Sequence, residues 1–295
     1  MAEVPVQIDG RTLTLTNLDK VLYPETGFTK AQVVDYYARI APVILPHLRG
    51  RPLTLVRYPD GVAGKSFFEK RRPPSAPDWV EVGGELGSVL CDEAATLVWL
   101  ANLAALELHT HQHTMSAPDL PTAVVLDLDP GAPATVVDCA RVALDVRAVL
   151  DRLDLIAVVK TSGSKGLHLA VPIATGTADD DETKGFALAL GRLLAEAAPK
   201  RVTIAMARDQ RGGKVFVDWS QNDRHKTTVA AYSLRARAHP SVSTPITWTE
   251  VEQAVAANAP DLLTFETEAV LARVEQLGDL YAANLATPQT LPKLA

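Results

Sequence analysis

Residues 123–130, Ala-Val-Val-Leu-Asp-Leu-Asp-Pro, carry an apolar run into two carboxylates spaced i, i+2. On a strand, alternation puts Asp127 and Asp129 on one face and turns Leu126 and Leu128 to the other, towards a core. Two neighbouring carboxylates repel unless a cation lies between them. A pair of divalent ions about 3.5–4 Å apart does this in chemistry that moves phosphoryl or nucleotidyl groups. Pro130-Gly131 ends the strand, leaving both acids at a lip. The same spacing also suits a turn, a cap or a solvated strand end, so the rest of the chain has to decide.

The chain has 295 residues, 47% of them apolar, enough for one large or two ordinary domains with a real core. It has no run of about 18 apolar residues and no basic n-region followed by an apolar stretch, which predicts neither a membrane span nor a secretory signal. Cys91 and Cys139 are the only cysteines, which excludes a disulfide scaffold and a four-cysteine zinc site. The expectation is a soluble cytoplasmic protein. A net charge of −6 counts against nucleic-acid binding. Bound divalent ions would offset part of it, and local Lys/Arg clusters can build a positive track on an acidic body.

Residues 4–8 and 12–16 alternate around Asp9-Gly10, a hairpin signal. Thr29-Lys-Ala-Gln32 is a capping box, and apolar residues at helical spacing follow as far as Leu48. Residues 52–58 read as a strand, followed by Phe67-Phe-Glu-Lys-Arg-Arg-Pro-Pro74. Adjacent rings on an extended chain cannot both face one core. They suit base stacking beside cations that meet phosphates, or one core ring beside a solvated charged edge. A helix opens at Asp92-Glu93, its apolar residues running from Ala94 through Leu106. It delivers His109, His111 and His113, which at strand spacing share a face fit for zinc. His109 could equally meet a phosphate or the carboxylates.

After the acidic pair come an amphipathic helix over 134–153 and a strand over 155–160, a βαβ-like order. Lys160-Thr-Ser-Gly-Ser-Lys-Gly-Leu-His168 brings backbone amides, hydroxyls and Lys165 to bear on an anion, or is a plain hairpin turn. It lacks the spacing of a Walker loop. A helix is expected over 182–198, a strand over 201–206, a basic turn around Arg211, and a strand ending in a third acid, Asp218. A strand over 228–234, a helix from Thr247 to about 257 and a last helix over 267–284 complete the pattern.

Together these motifs make the chain resemble the polymerase domain of the bacterial ligase D end-joining proteins, within the archaeo-eukaryotic primase superfamily. The resemblance rests on Val21-Leu-Tyr-Pro24, Phe67-Phe-Glu-Lys70, Asp127-Leu-Asp-Pro130, Thr161-Ser-Gly-Ser-Lys-Gly-Leu-His168, Val217-Asp-Trp-Ser-Gln-Asn222 and Tyr232-Ser-Leu-Arg235. It implies an α/β primase-polymerase fold, with an N-terminal α/β module packed on an RNA-recognition-motif-like sheet module and the active site in the cleft. The expected boundaries are about 1–120, 121–260 and a C-terminal helix over 261–285, in one catalytic unit with a mobile tail at 286–295.

The resemblance further implies that Asp127, Asp129 and Asp218 hold two ions, Mn2+ or alternatively Mg2+. Ser162, Lys165, His168 and Arg211 would hold the incoming triphosphate, with Arg57 and His109 as further contacts. Phe67 and Phe68 would stack on template bases, and Lys20 and Lys30 would grip a 5′-phosphate. The implied activity is template-directed nucleotide addition to a primer 3′-hydroxyl, with rNTP preferred over dNTP. The implied partners are primer-template or gapped DNA, nucleotides and a separate DNA ligase, the protein being a monomer on bacterial nucleoid DNA. The absence of a fused ligase and the short segment between Trp79 and Leu90 favour gap filling. End joining, primase-type initiation and a non-catalytic nucleic-acid-binding subunit are the alternatives.

Overall fold

The computed structural model describes residues 3–293, which form two compact units. One comprises residues 3–116, 229–243 and 265–278; the other comprises 117–228, 244–264 and 279–293. The chain thus leaves the first unit after Ser116 and returns to it twice. The helix Thr267–Leu277 belongs to that first unit and is no separate C-terminal element. Among the described residues no helix is long and apolar enough to cross a membrane.

In the first unit, Glu3–Ile8 and Arg11–Thr16 pair around Asp9-Gly10, both at positive φ, the conformation that a tight two-residue hairpin requires. The helix Lys30–Leu48 starts at the Thr29–Gln32 capping box and buries Val33, Tyr37, Ile40 and Ile44. Leu53–Arg57 pairs antiparallel with Phe67–Glu69 on one side and Ala105–Thr110 on the other. The helix expected to carry apolar residues to Leu106 stops at Asn102. Ala104 then takes a positive φ of 55° and the chain turns into the strand from Ala105.

The second unit is built on six strands. Their spatial order is Val202–Thr203, Val215–Asp218, Ala123–Pro130, Leu167–Pro172, Val158–Thr161 and Pro245–Ile246. All pairings are antiparallel except the first. Ala123–Pro130, helix Val136–Asp151 and Val158–Thr161 make a split βαβ, with Leu167–Pro172 inserted between its parallel strands. Helix Asp180–Ala197 and Val215–Asp218 complete a strand-helix-strand-strand-helix-strand core of ferredoxin-like type.

Both helices pack on one face of this sheet. The apolar residues of that face, Leu126, Leu128, Leu167, Leu169 and Val217, are fully buried. The Cys139 thiol of the first helix lies 3.3 Å from the Leu128 carbonyl. In the second helix, a methyl added at Gly191 would come within 2.9 Å of Ile204 and 3.5 Å of Val217. Strand alternation therefore delivers Asp127 and Asp129 to the opposite face.

Three expected elements are shorter than their patterns. The strand over 201–206 is reduced to Val202–Thr203, because the carbonyls of Ala205 and Met206 accept from Arg211 and the Ala205 amide donates to Thr203 Oγ1. The strand over 228–234 stops at Val229. Tyr232 adopts a positive φ of 65°, and hydroxyls replace the ladder there: Leu108 N donates to Ser233 Oγ, and Leu234 N to the Tyr37 hydroxyl. The helix over 267–284 ends at Gly278, also at positive φ. The tail expected to be mobile is tied at Gln289, whose side chain bonds Ile156 N and O and whose backbone meets Pro172 O and Ala174 N. Its last two residues lie outside the described part.

Candidate active site

Register in the second unit aligns four side chains across four neighbouring strands. Asp218 faces Asp127, Asp127 faces His168, and His168 faces Lys160. Directly opposed residues of antiparallel strands project to the same side with Cβ atoms about 4.5–5.5 Å apart, so these four form a row on one sheet face. The His168 Nε2 lies 3.3 Å from Asp127 Oδ1, and its Nδ1 lies 3.0 Å from Lys160 Nζ. Asp129, two residues beyond Asp127, faces Phe216.

The Asp129 carboxyl is held above the usual carboxylate range. Burial is the first cause and the charge of Asp127 the second, with Lys165 and Arg211 opposing and Asp218 adding to the rise. Three oxygen-donor acids in one field, Asp127 and Asp218 both raising the pKa of Asp129, fit a hard divalent cation by their donor chemistry. Asp218 caps the turn Trp219–Asn222. Its Oδ1 accepts from Ser220 N at 3.0 Å and Ser220 Oγ at 2.6 Å, and its Oδ2 accepts from Gln221 Nε2 at 3.0 Å. Among the described residues no three His, Cys, Asp or Glu side chains make a preformed cation cage.

Arg211 is fixed by its own turn. Its guanidinium lies 3.5 Å from the Phe216 ring centroid, Nε donates to Ala205 O at 3.2 Å and Nη2 to Met206 O at 2.6 Å. Gly131 permits the approach of that turn, because a Cβ there would meet the Arg211 carbonyl at 2.0 Å.

The Ser162–Gly166 loop is a tight hairpin as well as a phosphate-binding candidate. Ser162 Oγ accepts from Ser164 N and Gly166 N, Gly163 is at positive φ, and a Cβ at Gly166 would lie 2.1 Å from the Leu128 carbonyl. Lys165 stands exposed at its tip. Asp127, Asp129, Asp218, Ser162, Lys165, His168 and Arg211 therefore all belong to this unit.

The remaining candidates, Arg57, His109, Phe67, Phe68, Lys20 and Lys30, belong to the first unit. Arg57 donates to Glu69 at 2.9 Å and to Leu103 O, and lies over the Phe67 ring. Phe67 and Phe68 are 44% and 68% exposed, too open for core residues. Lys30 is buried, with Nζ on the Thr16 carbonyl. Burial first, then the charges of Lys20 and Arg57, push its pKa down to about 8. Lys20 itself pairs with Asp60 at 2.8 Å.

The histidines do not share one strand face, because the strand ends at Thr110. His109 Nε2 meets Glu107 Oε2 at 2.9 Å, whereas His111 and His113 stack with ring centroids 4.8 Å apart. Glu107 also holds Arg235 Nε at 3.1 Å and accepts from Ala236 N.

Four site-supporting residues were given no role by the motif reading: Lys160, Glu107, Ser220 and Asn222. Lys160 was within reach, since a hairpin closing on Ser162 and Gly166 puts positions 160 and 168 opposite each other. The Glu107–Arg235 pair and the Asn222–Val125 bonds carry no local signal, because these partners are distant in sequence.

A family model described as the primase-polymerase domain of LigD matches residues 29–281. The multifunctional non-homologous end joining protein LigD of Mycolicibacterium smegmatis is 44% identical over 279 residues, covering 91% of this chain and 35% of that protein. The bifunctional non-homologous end joining protein LigD of Bacillus subtilis is 30% identical over 282 residues, covering 95% of this chain and 45% of that protein. The chain thus spans less than half the length of either relative. The solved polymerase domain of Mycobacterium tuberculosis ligase D, in complex with DNA, matches with TM-score 0.84 at 40% identity, covering 94% of this chain and 99% of that one.

Proposed function

Because the chain belongs to the LigD primase-polymerase family and has a primase-polymerase fold, we propose that it is a template-directed, metal-dependent nucleotidyltransferase. It adds nucleotides, ribonucleotides in preference, to a primer 3′-hydroxyl and fills short gaps in DNA bounded by a downstream 5′-phosphate. The observation that carries this reading is the cross-strand alignment of Asp218, Asp127 and His168 beside Asp129, within the field of Lys165 and Arg211.

Asp127, Asp129 and Asp218 would hold two divalent ions, manganese by preference, which supply a lowered pKa at the 3′-hydroxyl and charge neutralisation at the triphosphate. The protein's own contribution is placement and charge. Arg211, locked on Phe216 and two carbonyls, presents its guanidinium without reorganisation, and Lys165 adds a point charge from a rigid hairpin. Both stabilise negative charge that grows at the reacting phosphorus. Ser162 and His168 orient the triphosphate. In the first unit, Phe67 and Phe68 offer rings for base stacking, Arg57 and His109 are anion contacts, and Lys30 with Lys20 makes a cationic site for a terminal phosphate. The protein would work as a monomer on cytoplasmic DNA.

End joining is the second reading, favoured by the relatives, which are described as end-joining proteins. Primer extension with manganese separates the two. Gap filling predicts faster addition on a one-nucleotide gap with a 5′-phosphate than across two non-ligated overhangs, and the reverse ranking assigns end joining. Asp127→Asn and Asp129→Asn should abolish addition in folded protein, and extension retained by either would refute the metal site.

A further inference from the structure

Lys160 is 3% exposed, on the strand Val158–Thr161, and no part of the mechanism above uses it. Burying a lysine costs several kcal/mol unless its head group is engaged, so a lysine in this position needs a reason. Its Nζ lies 3.0 Å from Nδ1 of His168, and the other ring nitrogen lies 3.3 Å from Asp127 Oδ1.

The tautomer follows from the partners. A carboxylate oxygen only accepts, so the hydrogen of the Asp127 contact sits on Nε2. In the neutral ring Nδ1 is then an acceptor, and an amine is the donor it needs. A histidine in the other tautomer would place a bare lone pair against the carboxylate and an N–H against the amine. Asp127 and Lys160, on opposite ring nitrogens, thus select the same one of the two neutral forms.

We propose that Lys160 is a positioning residue that holds His168 as the Nε2–H tautomer and fixes its ring plane along the row. A single N–H is then aimed at the Asp127 end of the sheet, where the incoming triphosphate is bound. The assignment deepens the polymerase reading and rests on it for its functional consequence, but the tautomer itself does not.

The test uses 15N-histidine-labelled full-length protein without metal or nucleotide, with the His168 signals assigned by their loss in His168→Gln. Wild type should show the Nε2–H pattern, Lys160→Met should show a mixed or Nδ1–H pattern, and Lys160→Arg should keep that of wild type. In primer extension, Lys160→Met should raise KM for the nucleotide or lower kcat by about 10–100-fold, as loss of a ligand-orienting partner does, with most activity returning in Lys160→Arg. An unchanged His168 pattern in Lys160→Met overturns the proposal even where extension falls. A wild-type ring found as Nδ1–H overturns it without any variant, which covers a Lys160→Met protein that does not fold. Wild-type protein that extends no primed template would sink the polymerase reading and leave the tautomer assignment standing.

Discussion

Replacing Asn222 tests how the third acid is held. Asn222 is 2% exposed, and its side chain takes the place of a strand beside Val125. Oδ1 accepts from Val125 N at 2.7 Å, while Nδ2 donates to Val125 O at 2.8 Å and to Trp219 O at 3.0 Å. The pairing of Ala123–Pro130 with Val215–Asp218 stops at Asp127, so the amide extends that ladder by one residue pair and ties the turn capped by Asp218 to the strand of Asp127.

Asn222→Ala leaves one buried N–H and two carbonyls without this partner. At about 1–3 kcal/mol for each unsatisfied group, reduced by relaxation, the loss is about 3–5 kcal/mol. At about 2–4 °C per kcal/mol for a unit of this size, the unfolding midpoint should fall by about 10 °C. Asn222→Asp is nearly isosteric but has an oxygen where two carbonyls need a donor, so only its protonated form fits. Its folded-state pKa is therefore raised above the ordinary value of about 3.9. The stability this variant keeps is fully present below the unfolded pKa and is lost as pH rises through the folded one. Urea unfolding at pH 5 and pH 8 should show a deficit that widens with pH for Asn222→Asp and stays constant for Asn222→Ala. An Ala variant within about 1 kcal/mol of wild type, or an Asp variant with equal deficits at both pH values, would refute the tether.

Three further outcomes are expected. The Lys30 ammonium titrates at about 8, so the preference for a 5′-phosphate over a 5′-hydroxyl gap should weaken as pH rises through that value and persist to higher pH in Lys30→Arg, in extension assays at fixed metal. Burial alone would raise the Glu107 pKa, but the His109 hydrogen bond and the Arg235 charge overcome it and hold the group at about 2. Its contribution is present above the ordinary 4.5 and is lost as pH falls towards 2, so Glu107→Gln should cost on the order of 2 kcal/mol at pH 7, with the two proteins converging in acid unfolding curves. Phe216→Leu removes the ring under Arg211, worth about 1 kcal/mol, and should raise the nucleotide KM about fivefold, while the smaller buried side chain lowers the melting midpoint by a few degrees.

Much of the site was legible because it is written in local patterns. Alternation in 123–130 located both acids on one face, and the short hairpin after Lys160 was readable as a turn and as an anion cradle. The βαβ order from Asp127 onward anticipated the split unit that places Asp218 opposite Asp127. Sheet order beyond that was hidden, since the edge strands Val202–Thr203 and Pro245–Ile246 are two residues each and carry no periodicity. The histidine face failed for a similar reason: alternation holds only while the strand lasts, and it ends one residue after His109.

Two of the remaining departures share a cause. Residues 204–206 have strand-like sequence, yet two of their carbonyls serve Arg211, whose guanidinium they fix in place. Residues 230–234 read as a strand, yet Tyr37 and Ser233 hydroxyls take over the hydrogen bonding just before Arg235, whose guanidinium is held by the buried Glu107. In each case a side chain outbids the backbone ladder, and the element that local propensity favours is given up for a cation in a fixed orientation. At these two places local preference and native structure part beside a cation, Arg211 in one and Arg235 in the other. The same logic singles out Lys160, a buried amine at a strand position that an apolar residue would fill more cheaply, facing a histidine whose tautomer it is proposed to hold.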